Sequence, residues 1–214
     1  MFQNKNLKSE ISNLDSKFIM ILPIVGYGDP VLRKIGEAIS SEYSNLNELI
    51  SNMYDTMYNA SGIGLAAPQI GLAIRLFIVD TEPFSESENL SDDEKILLKS
   101  FKKTFINAKM LVEEGEEWGF NEGCLSIPDV REDVYRHEKI TIEYYNEQFI
   151  KQTDVYDGLI ARVIQHEYDH IEGILFTDLI SSLKKQLIKK KLANIMDGKA
   201  RPDYRMRFCN KKSR

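Results

Sequence analysis

Apolar positions change their period several times along this 214-residue chain, and each change predicts an element. Between Asn45 and Ala60, Leu46, Leu49, Ile50, Met53 and Met57 recur at three- and four-residue steps, the stripe of an amphipathic helix. Asn45 followed by Glu48 resembles a capping box at its start, and the methionines read as core filler. Leu76-Phe77-Ile78-Val79-Asp80 is short and apolar without alternation, as a buried strand is. Strand-like runs follow at 105–112, 116–121, 139–145 and 148–156, separated by Gly, Pro, Asn and charged turns. From Asp157 to Gly173 the helical period returns. Leu159, Ile160, Val163 and Ile164 make an apolar face, Asp157 is the N-cap and Gly173 the stop. Leu183, Leu187, Ile188, Leu192 and Ile195 mark a last amphipathic helix.

This order has no regular βαβ alternation and no internal repeat. It predicts an α+β fold, with meandering antiparallel strands around a central helix at 157–173, an N-terminal amphipathic helix and a C-terminal helix. Residues 82–104 are charged and serine-rich, with a short helical pattern from Glu94 to Phe101, and read as a surface insertion. Residues 1–19 lack the apolar core of a signal peptide and the arginines of a transit peptide, so they read as a disordered leader before Met20. Beyond Gly198 the chain is basic and contains Pro202, and disorder is expected there too. The organisation is therefore a leader at 1–19, one domain over 20–182, and a helix with a basic tail over 183–214.

Composition narrows the class. Hydrophobic residues at 43% and charged residues at 29% fit an ordinary globular protein. Cys124 and Cys209 are too few for a disulfide framework, and no apolar run reaches the length of a membrane span, so a cytoplasmic, reducing location is expected. From Lys184 to Arg214 twelve Lys/Arg face two Asp/Glu, a net of +10 on a chain whose total is −5. Such a tail suits an anionic partner, although lysines that simply face water would give the same pattern.

The chemistry centres on His166-Glu167-Tyr168-Asp169-His170 in the 157–173 helix. Residues four apart share a helix face, so both imidazoles can reach one metal ion while Glu167 handles a proton. The plainer reading is a surface helix with solvated histidines. A catalytic site needs a third ligand and an open position. The H-E-x-x-H-x-x-G-x-x-H pattern of one protease group fails here, because Gly173 is in place but Phe176 stands where the last histidine belongs. Asp178 is a nearby carboxylate, very soon after the helix. Upstream, Glu122-Gly123-Cys124-Leu125-Ser126 offers a thiolate, a strong soft ligand, 42 residues before His166. A free cysteine is otherwise a small buried hydrophobe. Gly62-Ile63-Gly64-Leu65-Ala66-Ala67-Pro68-Gln69 allows close backbone approach but is neither G-x-G-x-x-G nor a P-loop. Its one strongly polar side chain, Gln69, is either a buried structural amide or a neutral donor.

Taken together, G-I-G-L-A-A-P-Q at 62–69, E-G-C-L-S at 122–126 and Q-H-E-Y-D-H at 165–170 resemble, in order and spacing, the peptide deformylases, over about residues 20–182. The resemblance implies that Cys124, His166 and His170 bind one divalent metal and that Glu167 is general base and acid. It implies too that Gln69 and the Leu125 backbone N–H hold the oxyanion. The metal implied is iron(II), readily lost or oxidised, with zinc, nickel or cobalt in purified samples. A bound divalent ion lowers the pKa of its water towards about 7, so hydroxide can attack the formyl carbon near neutral pH. The implied substrates are N-formylmethionyl nascent peptides, and the implied products are formate and a free amino terminus. Ile63 and Gly64 are candidates to pair with an extended peptide. Ile63, Phe120, Leu159 and Val163 are candidates for the methionine pocket, and Arg131 is grouped with them as substrate-binding. One of Arg131, Arg136 and Arg162 is expected to pair with Asp169 or Glu122. Bacterial members can touch the ribosome through their C-terminal helix, which would give the basic tail its anionic partner. Competing readings are an H-E-x-x-H metallopeptidase, a cysteine hydrolase using Cys124, and a non-catalytic ribosome-associated protein.

Overall fold

The structure, a computed structural model, describes residues 20–209; the 1–19 leader lies outside them. In chain order the elements are β1 (Ile24–Val25), α1 (Leu46–Asn59), β2 (Gly64–Ala66), β3 (Leu76–Asp80), α2 (Asp92–Ser100), β4 (Lys102–Cys124), β5 (Ile127–Tyr145), β6 (Lys151–Asp157), α3 (Gly158–Ile171), α4 (Phe176–Leu179), α5 (Ser182–Met196) and β7 (Met206–Arg207). β2 to β6 form one sheet in sequence order with every neighbour antiparallel, and α3 packs on it against β2, β3 and β5. The α+β arrangement around a central helix is thus the one the periodicity predicts.

β3 shows why its sequence does not alternate. Phe77 and Val79 face one core with Ala66, Phe105, Ile160 and Ile164, while Leu76 and Ile78 face another with Met53, Met57 and Leu65. A strand covered on both faces is apolar at every position. The helix α1 closes the second core with Leu46, Ile50, Met53 and Met57, as expected. Its start differs from expectation. Asn45 adopts a left-handed conformation, φ 58°, and makes no side-chain cap bond, because a capping box needs an extended N-cap. Asp157 likewise precedes α3 without capping it, whereas Gly173, φ 73°, does follow its end.

β4 and β5 are longer than the strand-like runs suggest, and they join as one hairpin. The apparent break near 113–115 is a bulge. The pairing shifts between Glu114 and Glu117, and Gly115 takes φ 85°. The stretch 127–138, absent from the predicted strands, alternates buried Val130, Val134 and Arg136 with exposed polar residues. β6 starts at Lys151, since residues 146–150 form a turn in which the Asn146 side chain accepts from the Gln148 and Ile150 N–H groups.

The segment 82–104 is more than a surface insertion. Ser91 and Glu94 form a true capping box on α2, Leu98 and Phe101 are buried in the main core, and β4 begins at Lys102. Nor is the chain beyond Gly198 disordered through residue 209. β7 pairs in parallel with β1, and Phe208 packs so tightly on Gly26 that a Cβ there would meet its ring at 2.9 Å. Arg205 and Arg207 face solvent while Met206 and Phe208 turn inward, so net charge hides a strand-like alternation. On α5 only Ile188 and Ile195 are buried, leaving Leu183 and Leu187 exposed. Among the described residues no helix is long and apolar enough to cross a membrane.

Phe105 sits in the core shared by the sheet and α3, stacked 4.7 Å from Phe77 and tilted against Tyr144 at 4.4 Å. Phe105→Ala should lower unfolding free energy by about 3–5 kcal/mol, measured by urea denaturation.

Candidate active site

α3 presents His166 and His170 on one face, ring centroids 5.2 Å apart. The β4–β5 hairpin turns at Leu125–Ser126 and delivers Cys124 to them, its Sγ 3.2 Å from His170 Nε2. The three candidate ligand atoms all lie within 4.8 Å of one another. Asp178 is elsewhere, paired with Arg33, and Phe176 is a buried ring stacked 6.2 Å from His166. Cys124 is therefore the third donor that the fold brings to the histidines.

Behind His166 lies a buried charge cluster. Glu122 accepts from His166 Nδ1 at 2.9 Å, from Arg136 Nε at 2.8 Å and from Arg162 Nη1 at 3.0 Å. Arg136 also reaches Asp169 at 2.7 Å. Arg162 is backed by the Trp118 ring at 4.4 Å and donates to the Trp118 and Val134 carbonyls. The arginine sought in the sequence is thus two: Arg136 bridges both acids, and Arg162 adds to Glu122. Arg131 instead binds Asn121. Burial opposes the Glu122 charge, but His166 and Arg136 outweigh it and hold the carboxyl well below its usual range. Burial likewise opposes protonation of His166, yet Cys124 and Glu122 raise it. His170 is held neutral by burial and by the His166 charge.

Glu167 is only 4% exposed and its Oε2 has no hydrogen-bond partner among the described residues; burial pushes its carboxyl up to about 7. Gly64 lies directly over it, and a Cβ there would stand 2.7 Å from Glu167 Cδ. Gln69 is buried with its orientation set by Oε1, which accepts from the Ala66 N–H at 2.7 Å, so Nε2 points at Cys124 Sγ, 3.5 Å away. A thiolate and two imidazoles beside an unpartnered carboxyl fit a first-row divalent ion with one position left open.

These groups open on a cleft of about 570 Å³. Ile63, Gly64, Phe120, Leu125, Arg131 and Val163 line it. Leu159 does not, since it sits in the first turn of α3 and packs against the main core. Phe84 and the segment Pro202–Tyr204 join the wall unforeseen. Phe84, which meets Phe120 edge-on at 6.1 Å, was signalled only as an aromatic residue in a charged stretch.

A sequence model described as polypeptide deformylase matches residues 21–186. The chain belongs to the polypeptide deformylase family. It is 73% identical to a peptide deformylase of Flavobacterium psychrophilum, over 90% of this chain and all of that one. It is 49% identical to that of Cytophaga hutchinsonii, over 90% of this chain and all of that one. A crystal structure of a Legionella pneumophila peptide deformylase superposes with TM-score 0.70 at 34% identity, covering 82% of this chain and 95% of that one. An inhibitor complex of Arabidopsis thaliana peptide deformylase 1B gives 0.71 at 30% identity, covering 83% and 91%. The chain is thus an enzyme, a peptide deformylase that removes formyl groups with a divalent metal.

Two substitutions probe this deformylase site. Glu122→Gln should weaken metal affinity about 10–100-fold, measured by competition with a chromophoric chelator. Gly64→Ala should displace the Glu167 carboxyl and lower kcat about 100-fold, measured by formate release.

Proposed function

We propose that this enzyme deformylates N-formylmethionyl nascent peptides in the cytoplasm, with iron(II) held by Cys124, His166 and His170. The observation that carries the reading is the meeting of three donor atoms within 4.8 Å of one another beside a buried carboxyl with a free oxygen. When bound, the divalent ion acts as a Lewis acid and supplies an acidified water. Beside that ion Glu167 would accept a proton from the attacking water and return it to the leaving amine. A carboxyl held near neutrality by burial suits both steps. Gln69 Nε2 and the Leu125 N–H donate to the formyl oxygen as negative charge grows on it, and the Ala66 bond keeps the Gln69 amide from rotating away.

Substrate placement follows from the sheet. Among the described residues β2 pairs with β3 alone; the Ile63 carbonyl accepts from the Asp80 N–H on that side, and the outer edge at Gly64 is open to an extended peptide by strand addition. Ile63, Phe120 and Val163, with Phe84, form the apolar part of the cleft suited to a methionine side chain. Arg131 on the same wall is available to later residues of the peptide. The ribosome is the proposed partner of the C-terminal segment, since Lys185, Lys189, Lys190 and Lys191 are exposed on α5 and phosphate backbones attract such clusters.

The test is formate release from a short formyl-methionyl peptide by protein purified without oxygen. Glu167→Gln should reduce release about 100- to 10,000-fold, without lowering the melting temperature, because the buried, poorly satisfied charge is removed. A chelator should abolish release and iron(II) or nickel should restore it. No release by the metal-loaded wild type would sink the proposal.

A further inference from the structure

The family match ends at residue 186, yet the cleft wall includes Pro202, Asp203 and Tyr204. The chain reaches them by reversing after α5, where Gly198 takes φ 69° and the Lys199 N–H bonds to the Asn194 carbonyl. It is then tied down by β7. The Ile24 N–H donates to the Arg205 carbonyl and the Gly26 N–H to the Arg207 carbonyl, both at 2.9 Å. Phe208 and Ala200 pack into the core that holds Ile127, Val130 and the partly buried Cys124. Residues 199–209 are therefore a docked strap.

The strap touches the hairpin turn at one peptide unit. Tyr204 OH donates to the Leu125 carbonyl at 2.7 Å, and its ring packs with Leu125 in the α1-side core. The next carbonyl along, that of Ser126, accepts from the Tyr27 N–H at 2.8 Å, just after β1. Two successive carbonyls of the turn are thus held from the paired β1–β7 unit, one by each of its chains. On the other side the Leu125 side chain fills the space over Gly62, where a Cβ would meet Leu125 Cδ1 at 2.8 Å. A carbonyl fixed on one side and a side chain fixed on the other leave Leu125 little freedom to turn its own N–H.

We infer that Tyr204 is a positioning residue for deformylation: by holding the Leu125 carbonyl it fixes the peptide unit next to the one that carries the Leu125 N–H, and so keeps that N–H aimed at the developing oxyanion. This rests on the proposed donor role of Leu125. A donor's value depends on its being oriented before charge develops, so freeing it costs rate more than binding. The strap lies outside residues 21–186, so this orientation is supplied by a segment C-terminal to the matched family region.

Tyr204→Phe keeps the ring and removes the donor. Expected results are a kcat about tenfold lower, KM within about twofold, and unchanged metal content and melting temperature. Faster amide exchange at Leu125 and Ser126 in the zinc-loaded protein should accompany them. Tyr204→Leu, which keeps an apolar contact with the same core, should share the loss in kcat. Wild-type kcat in both variants, or a change confined to KM, would overturn the inference while leaving the deformylase reading intact. No formate release by the wild type would overturn that reading, and a Gln69→Leu variant of undiminished kcat would overturn the oxyanion assignment; either takes the inference with it.

Discussion

One buried carboxylate, Glu122, holds this site in shape. It lies at the end of β4, two residues before Cys124, and accepts from His166, Arg136 and Arg162, three groups brought by β5 and α3. Unpaired, an ion at 4% exposure would be strongly destabilising. Here two arginines answer two acids, Glu122 and Asp169, so these four side chains balance one another in formal charge. Removing one member would strand the others, and this makes the position of His166 inseparable from the packing of strand against helix.

The fold supplies that packing by crossing its longest hairpin with its most buried helix. β3, apolar on both faces, forms the floor; α3 lies on one side and α1 on the other. Because β4 ends in a tight turn under α3, the thiol of Cys124 reaches two imidazoles one helical turn apart. Gly64 completes the site by letting an edge strand pass over Glu167. A larger residue there would contest space with the carboxyl itself. The absence of a side chain at Gly64 is thus what gives the Glu167 carboxyl its clearance.

How much of this the sequence discloses depends on the kind of signal. The α3 period and its H-E-x-x-H pair are local, so the helix and the shared face of its histidines could be read directly. Cys124, Gln69 and Glu122 are distant in sequence and became legible together only through three matching motifs. Bulges defeat periodicity: Gly115 sits in one and splits β4 into two apparent strands. Leu159 shares the helical stripe of Val163 but stands in the first turn, where the core and not the cleft receives it. Composition misled in two places. A serine-rich stretch hid Phe84, and a basic tail hid the inward Met206 and Phe208 that dock the strap.

Glu167 shows what separates a working site from a well-packed core. A carboxyl whose buried oxygen has no partner among the described residues is a poor choice for stability, since an apolar residue of similar shape would meet the surrounding helix and strand without a desolvation cost. Nothing in the fold requires an acid there. Glu122, just as buried, is satisfied by three donors and held ionised, while Glu167 is left with a raised pKa near neutrality. Two carboxylates in one site are thereby driven apart in acidity. Glu122 is held ionised among its three donors, while the acidity of Glu167 lies in the range where a proton is exchanged near neutral pH. That division, more than the histidine pair alone, distinguishes a hydrolytic centre from a structural metal site.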